Sequence, residues 1–204
     1  DAWDEAIRDG SKLRPLPVEE QRSLVRALQE LGNVEYALMH YVALLTGARE
    51  MTVLTLRVRD VMLPPDQVPQ WSHKIPCGPG TGIDTKGDVA NVYLSMPREL
   101  YAQLHAYAVS ERAQRRRAKT KLSEDPSNYL FLTQHGQPFY ESKEDRNALH
   151  DSSALLRRST LGGRPLRKFI ERRVIPMVRK SHPKFKYRFH DLRATFGMNW
   201  VDYQ

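Results

Sequence analysis

Two short segments carry arginine and histidine side chains in positions where such groups can bind phosphate. Arg49 follows Gly47, a residue type that often ends a helix, so it lies at a junction of two elements. His190 and Arg193 are three residues apart, which places them on one face of a helix. Guanidinium groups match two phosphate oxygens with their forked N–H donors. The ordinary alternatives are a surface salt bridge for Arg49 and a solvated helix face or a hydrogen-bonded core histidine for His190.

Taken together and in this order, the segments resemble the two motif boxes of the tyrosine recombinase (phage integrase) family. The first box, TGxR, is matched by residues 46–49, with Leu56 and Asp60 at the offsets at which the family has a leucine and an aspartate. The second box, HxLR, is matched by residues 190–193 and continues through residues 194–196, which are Ala, Thr and Phe. Each box is weak alone, whereas the ordered pair is a more specific signal.

The family also has a β-hairpin lysine between the boxes. Lys86, preceded by a threonine and followed by the apolar residues 92–94, is similar to it. The resemblance covers residues 17–204. It implies a mainly α domain with a small three-stranded antiparallel sheet, an α+β arrangement of the tyrosine-recombinase catalytic type.

The resemblance implies site-specific cleavage and rejoining of double-stranded DNA through a 3′-phosphotyrosyl intermediate. Arg49 and Arg193 would stabilise the charge that builds on the non-bridging phosphate oxygens. Lys86 would protonate the leaving 5′-oxygen, although an exposed turn lysine is its ordinary alternative. His190 would hydrogen-bond the phosphate or accept the proton of the nucleophile. We expect neither a metal nor a cofactor, because the arginines supply the positive charge.

Two features depart from the family pattern. Thr52 stands where the family has an acid thought to support the first arginine, so Asp60 or another residue would have to support Arg49. The sequence runs only to Gln204, whereas the nucleophilic tyrosine of the family follows the HxLR box at a greater distance. We expect a domain truncated before its nucleophile and unable to cleave DNA by itself, because Tyr203 is too near the box.

Two basic stretches are candidate DNA contacts. One ends a predicted helix, where the ordinary alternative is a solvated helix end that favours cations. The other recurs every four residues and therefore forms one positive helix face. Phosphate contacts by either stretch would make binding steeply dependent on salt. The candidates are Arg115, Arg116 and Arg117 in the first stretch and Arg164, Lys168 and Arg172 in the second.

Helical periodicity dominates the chain around these residues. We expect residues 1–16 to be a linker remnant and residues 17–204 to be the domain. Asn33 is a candidate N-cap, and Gly47 a candidate end, of the second helix. Further helices are predicted from Pro17, from near residue 98, over 143–158 and 164–179, and from near residue 190. Short strands are predicted at 82–85 and 89–94 with a turn at 86–88, a buried strand or turn at 129–132, and an exposed loop at 64–80.

The net charge and the cysteine content limit the classes of function that the chain can have. The 204 residues carry a formal net charge of +8, which favours nucleic acid or an anionic membrane surface as partner, or is only the charge of a basic soluble protein. Cys77 is the single cysteine, so an internal disulfide and a cysteine-pair zinc site are excluded. We expect a cytoplasmic, nucleoid-associated protein without a membrane segment. The resemblance implies a homo-tetramer on DNA at full length.

Two other functions stay open at this stage. One is a recombinase-like module that has lost catalysis and only binds DNA, which the threonine at position 52 favours. The other is a basic helical protein that binds RNA or a protein, with both boxes coincidental. The intact HxLR box argues against that alternative, as does the lack of an RNA-module signature.

Overall fold

The computed structural model describes residues 13–87, 89, 92–151 and 162–202. Within them the chain is mainly helical with a small antiparallel sheet, which confirms the expected α+β class. The helices are α1 (Val18–Leu31), α2 (Val34–Thr46), α3 (Glu50–Leu54), α4 (Arg98–Val109), α5 (Glu111–Arg117), α6 (Lys143–Asp151), α7 (Arg164–Phe169), α8 (Ile175–Val178) and α9 (Asp191–Asp202). A 3-10 helix covers Val58–Val61, and a π-helical segment, Ile170–Val174, joins α7 to α8. The strands are β1 (Ser72–Cys77) and β2 (Val92–Pro97).

The most apolar of the long helices, α2, lies at the centre and contacts α1, α3, α4, α9 and β2. Its ends follow from local chemistry. The Asn33 side chain accepts a hydrogen bond from the Tyr36 backbone N–H at 3.2 Å, and Gly47 ends the helix in the left-handed conformation with φ 67°. Both predicted boundaries are confirmed. Met39, Val42 and Ala43 are completely buried, so α2 presents apolar side chains to several neighbours at once.

The sheet differs from the sequence-based prediction. Strand β1 is Ser72–Cys77, with Ser72 opposite Pro97 and Cys77 opposite Val92, so the predicted strand at 82–85 is wrong. The predicted loop at 64–80 is likewise wrong over β1. Strand β1 contains Pro76, but a two-stranded sheet consists of edge strands, where the missing N–H of proline is tolerated. The described residues hold two of the three expected strands, and residues 78–91 form the connection between them.

Helices α7 and α8 and the π-helical segment between them form one continuous helical stretch over 164–178, close to the predicted 164–179. Pro176 has no N–H, and its ring would clash with the carbonyl four residues earlier in a regular α-helix. The chain widens into π geometry over Ile170–Val174, immediately before this proline. The wider turn accommodates the proline and shifts the helical phase of the residues that follow.

The first described residues pack against the last helix. Leu16 is fully buried, and its backbone N–H donates to Thr195 Oγ1 at 2.9 Å. The backbone N–H of Arg14 donates to Asp191 Oδ1 at 3.2 Å. Arg14 and Leu16 therefore belong to the packed domain, although we expected them in the linker. Residues 1–12 and residues 152–161, which include the last part of the predicted helix 143–158, lie outside the described residues.

Candidate functional site

The turn after α2 is the point at which the two sequence motifs meet. Gly47 has a positive φ, and a Cβ atom built on it would lie 2.6 Å from Phe196 Cδ1 on α9. Only glycine allows both this backbone conformation and the close approach of the ring. Residues 46–49 therefore pack directly against the helix that carries the second motif.

Arg193 bridges the two motifs through a hydrogen bond. Its Nη1 donates to the Gly47 carbonyl oxygen at 2.7 Å, across 146 positions of sequence. Burial lowers the pKa of Arg193, and the nearby positive charge of Arg49 lowers it further. The fold thus places two guanidinium groups, widely separated in sequence, close enough to repel each other.

Arg49 is left with hydrogen-bonding capacity. Its Nε is buried and has no hydrogen-bond partner within the part of the chain that the structure describes. In the same part, no carboxylate forms an ion pair with Arg49 or with Arg193. Two adjacent cations without a carboxylate favour the binding of an anion, because an anion relieves their repulsion and supplies the missing acceptor.

His190 immediately precedes α9 and is half-buried. Its carbonyl oxygen accepts a hydrogen bond from the Arg193 backbone N–H at 3.2 Å, so the two residues share the first turn. Asp191 is buried and accepts from the Arg188 backbone N–H at 2.8 Å, which fixes the entry of the chain into the helix. His190 and Arg193 are therefore placed together, as their spacing predicted.

The connection between the strands is tied to the helix that begins after Arg49. Thr52 Oγ1 donates to the Asp84 carbonyl oxygen at 2.8 Å, and the Asp84 backbone N–H donates to Thr55 Oγ1 at 2.9 Å. Lys86 is exposed and follows Asp84 by two residues, so its backbone lies within about 7 Å of that anchor. The loop that carries Lys86 is thereby held beside α3.

Asp60, considered as support for Arg49, and Glu50, its neighbour in sequence, both bind other groups. Asp60 Oδ2 accepts from the Arg57 backbone N–H at 2.8 Å and caps the 3-10 helix, and burial raises the pKa of Asp60 to about 6. Glu50 pairs with Arg167 at 2.9 Å. Burial raises the pKa of Glu50, although the charge of Arg167 acts in the opposite direction. Of the two alternatives, support of Arg49 by Asp60 is therefore not what the structure shows, and support by another residue stays a prediction.

Arg57 is a buried arginine that donates hydrogen bonds to several distant segments, and the sequence alone did not indicate it. Only 3% of its surface is exposed, and its guanidinium lies 4.0 Å from the centre of the Tyr129 ring. It joins the base of the 78–91 connection to two other segments. Its acceptors are the Gly82 carbonyl at 2.7 and 3.0 Å, the Ser127 carbonyl at 3.0 Å, Ser142 Oγ at 2.9 Å and Asp145 Oδ2 at 2.9 Å. No local pattern marks it, because all four acceptors lie at least 25 residues away in sequence.

The second basic stretch lies on the surface near Arg49. Arg164, Lys168 and Arg172 are exposed on the helical stretch that follows residue 163. The Glu50–Arg167 pair joins this stretch to the residue next to Arg49. Arg164, Lys168 and Arg172 are therefore accessible to solvent, and their contact with DNA stays a prediction.

The three arginines that end α5 lie in different environments. Arg115 is exposed and pairs with Glu111 one turn earlier. Arg116 is largely buried and pairs with the buried Glu35 at 3.1 Å. Arg117 is 3% exposed and donates to the Ala108 carbonyl at 2.8 Å. Arg115 therefore remains a candidate phosphate contact. Arg116 and Arg117 do not, because their guanidinium groups bind acceptors of the protein itself.

The described residues contain no group of three or more His, Cys, Asp or Glu side chains arranged to hold a metal ion. None of the described helices has the length and apolar character needed to cross a membrane. A scan against protein-family models finds no match, and neither a search of curated proteins nor a search of solved structures finds a relative.

Proposed function

We propose that this chain is the catalytic part of a DNA strand-cleaving and rejoining enzyme of the tyrosine recombinase type. The observation that carries the proposal is the meeting of Arg49 and Arg193. Arg193 donates a hydrogen bond to the Gly47 carbonyl at 2.7 Å, burial and the charge of Arg49 lower the pKa of Arg193, and no carboxylate of the described residues pairs with either arginine. Such a pair suits a phosphodiester whose two non-bridging oxygens gain charge in the transition state.

Each further residue has a place in this chemistry. His190, in the first turn of α9, hydrogen-bonds the same phosphate or takes the proton of the attacking hydroxyl. Lys86, on the loop held by Thr52 and Thr55, protonates the leaving 5′-oxygen. Lys86 is exposed, which suits a general acid that has to reach the leaving oxygen of a bound substrate. The enzyme would act on double-stranded DNA as a tetramer, in the cytoplasm or nucleoid.

A second candidate is a DNA-binding module without catalysis, and Thr52 favours it. Threonine has no carboxylate that could orient Arg49, and the Thr52 hydroxyl is engaged as a donor to the Asp84 carbonyl at 2.8 Å. A site that only binds DNA needs cations near phosphate but no preference for the transition state. The two functions therefore differ in how strongly the site favours a pentacoordinate phosphorus analogue over a tetrahedral one.

Calorimetric titration of the protein with inorganic phosphate and with orthovanadate separates these functions. We expect orthovanadate to bind about tenfold or more tightly than phosphate, because vanadium, unlike phosphorus, readily adds a water as fifth ligand and then has the trigonal-bipyramidal shape of the transition state. Arg49→Ala and Arg193→Ala should each remove this preference. Arg26→Ala, which removes an exposed arginine of α1, is the matched control and should leave it intact.

Equal binding of both anions by the wild-type protein would support the binding module instead. Binding that is unaffected by either Arg49→Ala or Arg193→Ala would show that the two arginines do not form a site.

A further inference from the structure

In the segment before α9, buried and more exposed side chains alternate with a period of two residues. The aromatic side chains of Phe185, Tyr187 and Phe189 are buried, with 1%, 3% and 3% of their surfaces exposed. The residues between them, Lys186 and Arg188, face outward or are half-buried, as on an extended strand. Residues 184–190, named here the basic strap, therefore expose cations on one face and bury aromatic rings on the other.

The basic strap is held firmly in place. Arg179 Nε donates to the Phe185 carbonyl at 2.9 Å, and Arg14 Nη2 donates to the Lys186 carbonyl at 2.7 Å. The Tyr187 hydroxyl donates to His40 Nε2 at 2.7 Å in the core. Because the backbone is already ordered, the outward lysines can bind a partner with little further loss of backbone entropy.

The two lysines of the basic strap, Lys184 and Lys186, are not neutralised by any of the described residues. Both residues are exposed, and their side-chain ammonium groups have no hydrogen-bond or ion-pair partner among the described residues. The neighbouring carboxylates are already engaged: Glu20 pairs with Arg14 at 2.7 Å, and Asp191 pairs with Arg188 at 3.3 Å. The exposed face of the strap therefore keeps its positive charge.

We propose that the basic strap binds the backbone of double-stranded DNA and leads one strand to the Arg49 and Arg193 site. Lys184 and Lys186 are the contacting residues. Their Cα atoms are two residues apart and therefore lie within about 7 Å of each other, and the basic strap leads from them to the first turn of α9. The identification of the led strand as substrate rests on the proposed function, whereas the DNA contact itself does not.

Duplex DNA fits this surface better than a membrane does. Membrane-surface segments combine cations with apolar side chains that enter the lipid. Every aromatic side chain of the strap is buried, and no large apolar side chain of described residues 179–190 is exposed. Phosphate contact without insertion is the mode by which lysines bind a nucleic-acid backbone.

The salt dependence of duplex binding tests the proposal. The double variant Lys184→Gln/Lys186→Gln should bind a short duplex more weakly, with the slope of log K against log salt reduced in magnitude by about two, because two phosphate contacts are lost. The matched control, Lys74→Gln/Lys121→Gln, removes two exposed lysines from β1 and from the segment after α5. It should leave the slope unchanged. All four lysines are exposed, so thermal unfolding should confirm that both double variants fold.

The outcomes are distinct. A strap variant that matches its control, or a wild-type protein that binds anionic vesicles but no duplex, overturns the proposal. If the strap variant loses salt dependence while Arg49→Ala and Arg193→Ala leave vanadate binding intact, the strap is a DNA contact and the strand-transfer function is wrong. If vanadate binding requires Arg49 and Arg193 but the strap variant binds the duplex as its control does, the strand-transfer function stands and the strap is not a DNA contact.

Discussion

At the scale of single residues, chemistry depends on neighbours more than on residue type. Arg115 and Arg117 are both arginines of α5, yet one is exposed and the other is buried with its donors satisfied. Arg49 is only half-buried, but its Nε lacks a partner among the described residues. The capacity to bind an external anion therefore belongs to the arginine that the protein leaves unsatisfied.

Gly47→Ala tests the contact between the two motifs. A Cβ at this position strains the left-handed backbone and collides with Phe196 at 2.6 Å, so α9 has to shift. We expect the free energy of unfolding, measured with urea, to fall by about 2 kcal/mol or more. Vanadate affinity should fall as well, because Arg193 moves with α9.

Gly32→Ala is the matched control for this prediction. Gly32 also ends a helix with a positive φ, of 64°, but a Cβ there would meet nothing within 4 Å. Its substitution should cost about 1 kcal/mol for the backbone alone and leave vanadate binding unchanged. Equal losses from both substitutions would contradict a specific role for the contact between Gly47 and Phe196.

At the scale of elements, the site depends on how the connection between β1 and β2 is anchored. Asp84 is held by hydrogen bonds to Thr52 of α3 and to Thr55, which directly follows α3. The Asp84 carboxylate also accepts a hydrogen bond from the Lys143 backbone N–H at 3.0 Å. Arg57 holds Gly82 nearby. The loop is therefore fixed at its first half, which limits the region that Lys86 can reach.

Arg57→Met should destabilise the domain. It removes a buried cation and leaves four acceptors without their donor, so we expect the free energy of unfolding to fall by about 3 kcal/mol or more. Hydrogen exchange of the backbone amides at residues 80–87 should accelerate more than exchange in α2. Both effects follow because the guanidinium ties this loop to the rest of the domain.

Arg22→Met provides the comparison. Arg22 pairs with Glu19 on the exposed face of α1, with side chains that are 69% and 71% exposed. Its loss should change stability by less than about 0.5 kcal/mol. If hydrogen exchange at residues 80–87 stayed unchanged in Arg57→Met, the anchoring role of Arg57 would be wrong.

At the scale of the whole molecule, one polar contact in the core links α2 to the basic strap. His40 is fully buried, and its Nδ1 lies 2.6 Å from the Tyr36 carbonyl oxygen. A carbonyl can only accept, so Nδ1 carries the proton and Nε2 accepts from the Tyr187 hydroxyl. Burial lowers the pKa of His40 to about 4, although the bond to Tyr36 acts in the opposite direction. The folded state therefore keeps this ring neutral.

The stability of the domain should consequently depend on pH. The unfolded chain binds a proton at His40 below its ordinary pKa of 6.5, whereas the folded state does so only near 4. The stability contributed by the neutral ring is fully present above pH 6.5 and is lost as the pH falls to 4. The difference amounts to about 3 kcal/mol.

His40→Gln isolates this effect, since glutamine keeps one donor and one acceptor. The free energy of unfolding of wild type and variant should be compared between pH 4 and pH 7. The difference between them should shrink as the pH falls. Asp60, whose raised pKa acts with the opposite sign over part of this range, is present in both proteins and cancels. A constant difference would contradict the buried neutral ring.

The sequence by itself determined the local features of this protein. Asn33 and Gly47 end α2 because their effects act within a few residues, and the helical period marked most helices. The shared face of His190 and Arg193 follows from spacing along one helix. Such features need no knowledge of distant segments, and they gave the helical class and the candidate site residues.

Only the tertiary structure decided which distant groups meet. It paired Arg116 with Glu35 and brought Arg193 to the Gly47 carbonyl. It also paired β2 with the strand at 72–77, a segment that the sequence-based prediction had assigned to an exposed loop. These outcomes depend on burial and on contacts across many residues. The free energy of a buried charge or an edge strand is set by its surroundings, which no local pattern contains.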